Sequence, residues 1–195
     1  MPRKPRELVD GGIYHVFNRG NDKMDLFLKE GDYRFFYSLL LEIKDLFGND
    51  IFHYCLMTNH FHLLVRIKRV EDLPRLMHRL QLNYARYFKR EHSFVGHVFQ
   101  ERFRSPLIPQ ESYYLQCGRY IERNPVKAAM VRRAADYPFS SAAYYAHGRS
   151  DPLITPNLYY EGLGKTSEMR QQNYRIFLEM EEPYATVLDR ALQKV

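Results

Sequence analysis

The sequence contains no tryptophan and only two cysteines, Cys55 and Cys117. The cysteines form no CxxC pair, which argues against a zinc ribbon or a disulfide-stapled scaffold and suits a reducing cytosol. No stretch approaches the roughly 20 apolar residues of a membrane span. The first residues, Met1 to Arg6, are basic through Arg3, Lys4 and Arg6, but no apolar segment follows them, against a secretory signal. Repeats and low-complexity tracts are missing as well. These absences predict a cytoplasmic protein with no membrane contact.

What is present is a core and a charge. Apolar residues make up 45% of the 195, enough for one domain or one domain with an appendage. The net charge of +6 calls for an anionic partner, with nucleic acid first and a membrane surface second, although a basic enzyme without a polymer partner accounts for it equally well. The excess is uneven. Residues 1–150 hold 24 basic and 16 acidic side chains, whereas residues 151–195 hold five and seven. The stretch His147-Gly148-Arg149-Ser150-Asp151-Pro152 reads as a linker. A main domain over 1–150 and a C-terminal helical extension or tail over 151–195 are therefore expected.

Hydrophobic periodicity orders the first part. Residues 13–18, 51–57 and 60–67 read as strands, with Thr58-Asn59 as a tight turn between the last two. Residues 32–46 and 71–92 read as helices, the second with Leu73, Leu76, Met77, Leu80, Tyr84, Tyr87 and Phe88 at helical spacing. A strand over 97–104 and a helix from about Glu111 to Asn124 complete the order β-α-β-β-α-β-α. That order predicts an α+β fold with a ferredoxin-like split βαβ core, an antiparallel sheet with helices on one face and the other face free.

Two short patterns carry potential chemistry. Strand alternation puts Phe61, Leu63, Val65 and Ile67 on one face and His60, His62, Leu64 and Arg66 on the other. Two imidazoles on one strand face can converge on one metal ion, although half-exposed strand histidines need no metal. A zinc hydrolase is a rival reading, but no further His or acidic ligand at motif spacing accompanies the pair. Tyr120 and Asn124 lie four apart on one helical face, and Pro125 ends the helix beside them. A phenol of pKa about 10 is a poor nucleophile unless a cation or metal assists it. Packing as an ordinary aromatic is the alternative for Tyr120. Basic side chains surround these patterns: a stripe of Arg75, Arg79, Arg86 and Arg90, then Arg102 and Arg104, then Arg119, Arg123 and Lys127, with Arg19 closing the first strand. They could neutralise phosphates, or stand as solvated charged faces.

Four segments, YHVFNRG (14–20), LMTNHFHLLV (56–65), GHVFQERFRS (96–105) and RYIERNPVKAAMV (119–131), resemble the bacterial single-tyrosine transposases with an HUH motif. They resemble in particular the repetitive-extragenic-palindrome-associated tyrosine transposases. The likeness spans about residues 8–145. It implies an HUH endonuclease core in which His60, His62 and Asn124 hold Mg²⁺ or Mn²⁺. Asn124 stands where insertion-sequence relatives carry Gln. Tyr120 is the implied nucleophile, ahead of Tyr113 and Tyr114, and forms a 5′-phosphotyrosine link with single-stranded or hairpin DNA. Arg19, Arg79, Arg102, Arg104, Arg119 and Lys127 are the implied DNA contacts, with Arg3, Lys4 and Arg6 near the hairpin foot. Such enzymes act as monomers or homodimers at the nucleoid. A palindrome-binding protein without catalysis and a rolling-circle-type nickase are the competing readings. The extension after residue 150 could pack through Tyr174, Ile176, Phe177 and Met180, or mask part of the DNA surface.

Overall fold

A central strand with two different faces organises the chain. In the computed structural model, which describes residues 8–108 and 112–180, β3 (His60–Arg66) lies between β1 (Ile13–Arg19) and β2 (Asp50–Met57), antiparallel to both. The two-residue turn Thr58–Asn59 joins β2 to β3. β1 and β2 run parallel, and α1 (Glu30–Phe47) supplies the crossover between them, as a split βαβ requires. Asp32 fixes the start of α1 by accepting the N–H groups of Leu28 and Lys29 at 2.8 and 3.0 Å, and Gly48 stops the helix in a left-handed conformation at φ 61°.

Phe61, Leu63 and Val65 point to one sheet face and are buried under α1 and α2 (Asp72–Glu91). Phe36, Leu40 and Ile43 of α1 meet Leu73, Leu76, Leu80 and Tyr84 of α2 in the same core. The two long helices thus take a single face, as expected.

The opposite face is less bare than its sequence suggests. Leu64, Cys55, Met57 and Ile13 lie under α3 (Ser112–Glu122), packed with its Cys117, Tyr120 and Ile121. Both cysteines are buried and free. α3 passes through Arg123 into the short α4 (Asn124–Lys127), so the helical run goes beyond the stop expected at Asn124. Pro125 falls in the first turn of α4, where its missing N–H costs little.

The strand expected over 97–104 forms only isolated bridges along β1: Gly20 to Phe99, Phe17 to Arg104 and Tyr14 to Leu107. Residues 100–103 bow away between the first two bridges, and Pro106 has no N–H to give a ladder. The segment still occupies the outer side of β1, the fourth-strand position of the predicted order.

The core continues past residue 150. Asp151 accepts hydrogen bonds from Tyr37 and Tyr54, at 2.6 and 2.8 Å. Thr155 donates its N–H to the Ile51 carbonyl, and Leu153 and Ile154 are buried in the main cluster. α5 (Ala142–His147), α6 (Leu158–Glu161) and α7 (Ser167–Glu179) follow. Tyr174 and Leu178 anchor α7 in the core, whereas Ile176 and Met180, expected to help, are half exposed. No helix among the described residues is long and apolar enough to cross a membrane.

Candidate active site

The antiparallel register of β1 and β3 sets Phe17 opposite His62 and Arg19 opposite His60, with His15 diagonal to His62 on the same face. α3 passes over this corner. A cleft of about 580 Å³ opens there, and it is lined by Arg19, His60, His62, Arg102, Arg104, Tyr120 and Asn124, together with Lys23, Asn59 and Glu101. Arg19 and Asn124, 105 residues apart in the chain, line one cleft because β1, β3 and the α3–α4 corner meet.

Each histidine is held by a partner. His60 Nδ1 lies 2.7 Å from Asn59 Oδ1. An amide oxygen only accepts, so this ring nitrogen carries the proton and Nε2 keeps its lone pair. His62 Nδ1 lies 2.9 Å from His15 Nε2 in a buried contact, which leaves Nε2 of His62 as its remaining nitrogen. Burial pushes His15 down to about 3. Burial and then Arg19 push His60 to about 4. Burial, followed by His60, His15 and Lys127, holds His62 well below the usual range. All three rings are therefore neutral near pH 7, the state in which an imidazole can donate a lone pair.

Tyr120 is 8% exposed. Its ring lies edge-on to those of His62 and His15, with centroids 6.1 and 5.8 Å apart. Lys127, two turns further on, sets its ammonium 4.5 Å from the Tyr120 ring centroid. Asn124 Nδ2 donates to the carbonyls of Tyr120 and Ile121, at 2.9 and 3.1 Å. The second of these is the acceptor that Pro125 has no N–H to satisfy. With the NH₂ end so engaged, Oδ1 is the end available to the cleft.

Among the described residues no group of three or more His, Cys, Asp or Glu side chains converges. A third donor beside the histidines would have to be of another type, and the Asn124 side chain lines the same cleft. Two neutral imidazoles and one amide oxygen fit a divalent metal ion, more naturally Mn²⁺ than an all-oxygen Mg²⁺ cage.

Not every expected contact belongs here. Arg119 is 2% exposed and stacks its guanidinium on Phe177, 5.2 Å from the ring centroid, so it packs α7 against α3 and does not line the cleft. Arg79 pairs with Glu42 across the helices on the other sheet face, away from the cleft. Lys127 reaches the site through Tyr120. Arg3, Lys4 and Arg6 lie outside the described residues. His15 was the residue the motifs did not single out. Its signal is in the sequence, since alternation puts it on the face of Phe17 and Arg19, but only the β1–β3 register brings it to His62.

A second polar cluster lies under the other side of α3. The fully buried Glu122 carboxylate accepts from His53 Nδ1, Ser141 Oγ and the Tyr174 hydroxyl, at 2.8, 2.6 and 2.7 Å. One side chain thereby ties the tyrosine helix to β2, to the residue preceding α5, and to α7.

A family model described as transposase, IS200-like, matches residues 9–124. The fold is similar to that of a REP-associated tyrosine transposase solved bound to a REP hairpin, with a TM-score of 0.64, 19% identity, and coverage of 81% of this chain and 93% of that one. A provisionally assigned transposase from Deinococcus radiodurans R1 gives a TM-score of 0.43 at 17% identity, covering 63% of this chain and 97% of that one. No curated protein matches the chain significantly.

Proposed function

Because this chain belongs to the IS200-like transposase family of DNA-cleaving and DNA-joining enzymes, we propose that it nicks single-stranded or hairpin DNA through a 5′-phosphotyrosine link on Tyr120. The observation that carries the reading is the joint lining of one cleft by Tyr120, His60, His62 and Asn124 with the cations Arg19, Lys23, Arg102 and Arg104. That one chain holds all of these groups supports a tyrosine used in cis. A hairpin is the first substrate to try, since the REP-associated relative was solved on one.

Arg19, Arg102 and Arg104 bind and orient the strand through its phosphates. The Tyr120 oxygen attacks the scissile phosphorus, the bond from phosphorus to the 3′ oxygen breaks, and the departing 3′-hydroxyl takes up a proton as the phenol loses one. The strand is then held as a phosphodiester on Tyr120, and the bond energy is kept for rejoining by a 3′-hydroxyl. Lys127 sets positive charge against the ring face as the phenol oxygen becomes negative. His60, His62 and Asn124 would hold Mn²⁺ or Mg²⁺, which when bound polarises the phosphate. His15 acts one step behind: it fixes the orientation of His62 through Nδ1.

The test is a denaturing gel of 5′- and 3′-labelled hairpins incubated with the protein and Mn²⁺ or EDTA. A metal-dependent protein–DNA adduct, lost in Tyr120→Phe, is the expected result. Tight binding with no adduct on any hairpin would instead make the chain a palindrome-binding module.

A further inference from the structure

Next to the nucleophile's cleft, beyond the α3–α4 corner, is a smaller cavity of about 200 Å³. It is lined by Arg123, Arg132, Arg133, Arg175, His147 and Glu179 over an apolar floor. We propose that this cavity is a second phosphate site, which grips the DNA backbone away from the bond being cut. The proposal rests on the reading of DNA as substrate.

The way the arginines are held supports it. Arg123 donates to the carbonyls of Leu178 and Met180, at 2.7 and 2.8 Å, at the end of α7. Arg175 donates to the Ala146 carbonyl at 2.6 Å, in the last turn of α5. Carbonyls fix a guanidinium in place without cancelling its charge. Among the described residues, only Arg133 of the four is ion-paired, bidentate to Asp136 at 2.9 Å. Even with Glu179 on the wall, four guanidinium groups face two carboxylates. Three arginines elsewhere on the surface each have a carboxylate partner: Arg34 with Glu30, Arg79 with Glu42 and Arg66 with Asp50.

A buried donor is also left over. Arg123 Nε is shielded from solvent and has no hydrogen-bond partner, so the protein itself does not use every donor of this guanidinium. A phosphodiester brings two non-bridging oxygens and one negative charge, the complement of preset guanidinium forks. The volume argues for a phosphate group alone, because a cavity of this size is below the roughly 300 Å³ at which small-molecule pockets begin. Continuity argues for a strand as the source of the phosphate. Arg123 lines this cavity and the next residue, Asn124, lines the cleft, so a strand passing over the α3–α4 corner can occupy both.

The experiment compares wild type, Arg132→Gln/Arg133→Gln and the charge-matched Arg34→Gln/Arg69→Gln, using fluorescence anisotropy with a labelled hairpin over a range of salt. Adduct formation at saturating DNA is measured alongside. The expected result is binding weakened about tenfold in Arg132→Gln/Arg133→Gln, with a log–log salt slope shallower by about two, and little change in the matched control. The adduct rate at saturation should stay at the wild-type value. Equal affinity and slope in the two double variants overturns the site, and leaves the nicking reading intact if both still form the adduct. Weakened binding with no adduct in any protein upholds the site and defeats the nicking reading. Titration with inorganic phosphate separates the sources: phosphate binding lost in the variant while hairpin affinity is kept would assign a free anion and overturn the backbone assignment.

Discussion

Tyr120 and Glu122 stand two residues apart on α3 and look in opposite directions. Towards the cleft, Tyr120 meets His62 and His15, and each ring there has one nitrogen engaged and polar atoms to spare. Away from it, Glu122 meets His53, Ser141 and Tyr174, and both of its oxygens are taken. The residue types are nearly the same on the two sides. A buried carboxyl group whose oxygens are both engaged can hold elements together but has nothing left to offer a substrate. Partly engaged groups beside a cleft are oriented and still available. The closed side is built tightly: a Cβ on Gly118 would come within 2.6 Å of the His53 ring, so glycine lets the sheet histidine lie against the helix backbone.

Breaking the closed side should have the largest effect on stability. Glu122→Ala removes one acceptor from three buried donors and is expected to cost about 3–5 kcal/mol, read as a lowered urea midpoint. A loss under about 1 kcal/mol would mean that the node is not what holds α3. On the open side, His15→Ala should leave the fold standing and weaken Mn²⁺ binding by about 10–100-fold, measured by calorimetry or electron paramagnetic resonance of the ion. Unchanged affinity would remove His15 from the positioning role.

The division between these regions also marks how far the sequence could be read. β1, α1, β2, β3 and α2 lie within about two residues of their expected bounds, because each has a periodic apolar face that the tertiary fold then uses. The segment 97–104 departs from expectation because its bridges and bow are set by its neighbour β1 and by Pro106, not by its own pattern. In the site, His60, His62, Tyr120 and Asn124 were legible as two local spacings, and family resemblance joined them. The burial of Arg119 was not legible, because an arginine on a helix reads as exposed, whereas Phe177, 58 residues on, covers it. Glu122 was overlooked for the same reason: its partners His53, Ser141 and Tyr174 lie 69, 19 and 52 residues away.

A smaller effect sharpens the comparison through pH. His15 and His60 are held at about 3 and about 4 in the folded chain, against an ordinary 6.5. Below pH 6.5 the unfolded chain takes up protons that the folded chain refuses. Stability should therefore fall as pH drops from about 6.5 towards those folded values, by up to about 1.4 kcal/mol per pH unit for each histidine. Urea midpoints at pH 7, 6 and 5 should show this decline, and His15→Ala should make it shallower. A flat profile over that range would mean the cleft histidines are not buried as neutral rings.

The central claim is that Tyr120 makes the covalent link, and the most direct measurement is peptide mapping of the trapped protein–DNA adduct by mass spectrometry. The predicted result is a nucleotide-bearing peptide with the phosphodiester on Tyr120, formed only with metal present. A nucleotide on Tyr113 or Tyr114, or an adduct that persists in Tyr120→Phe, would contradict it.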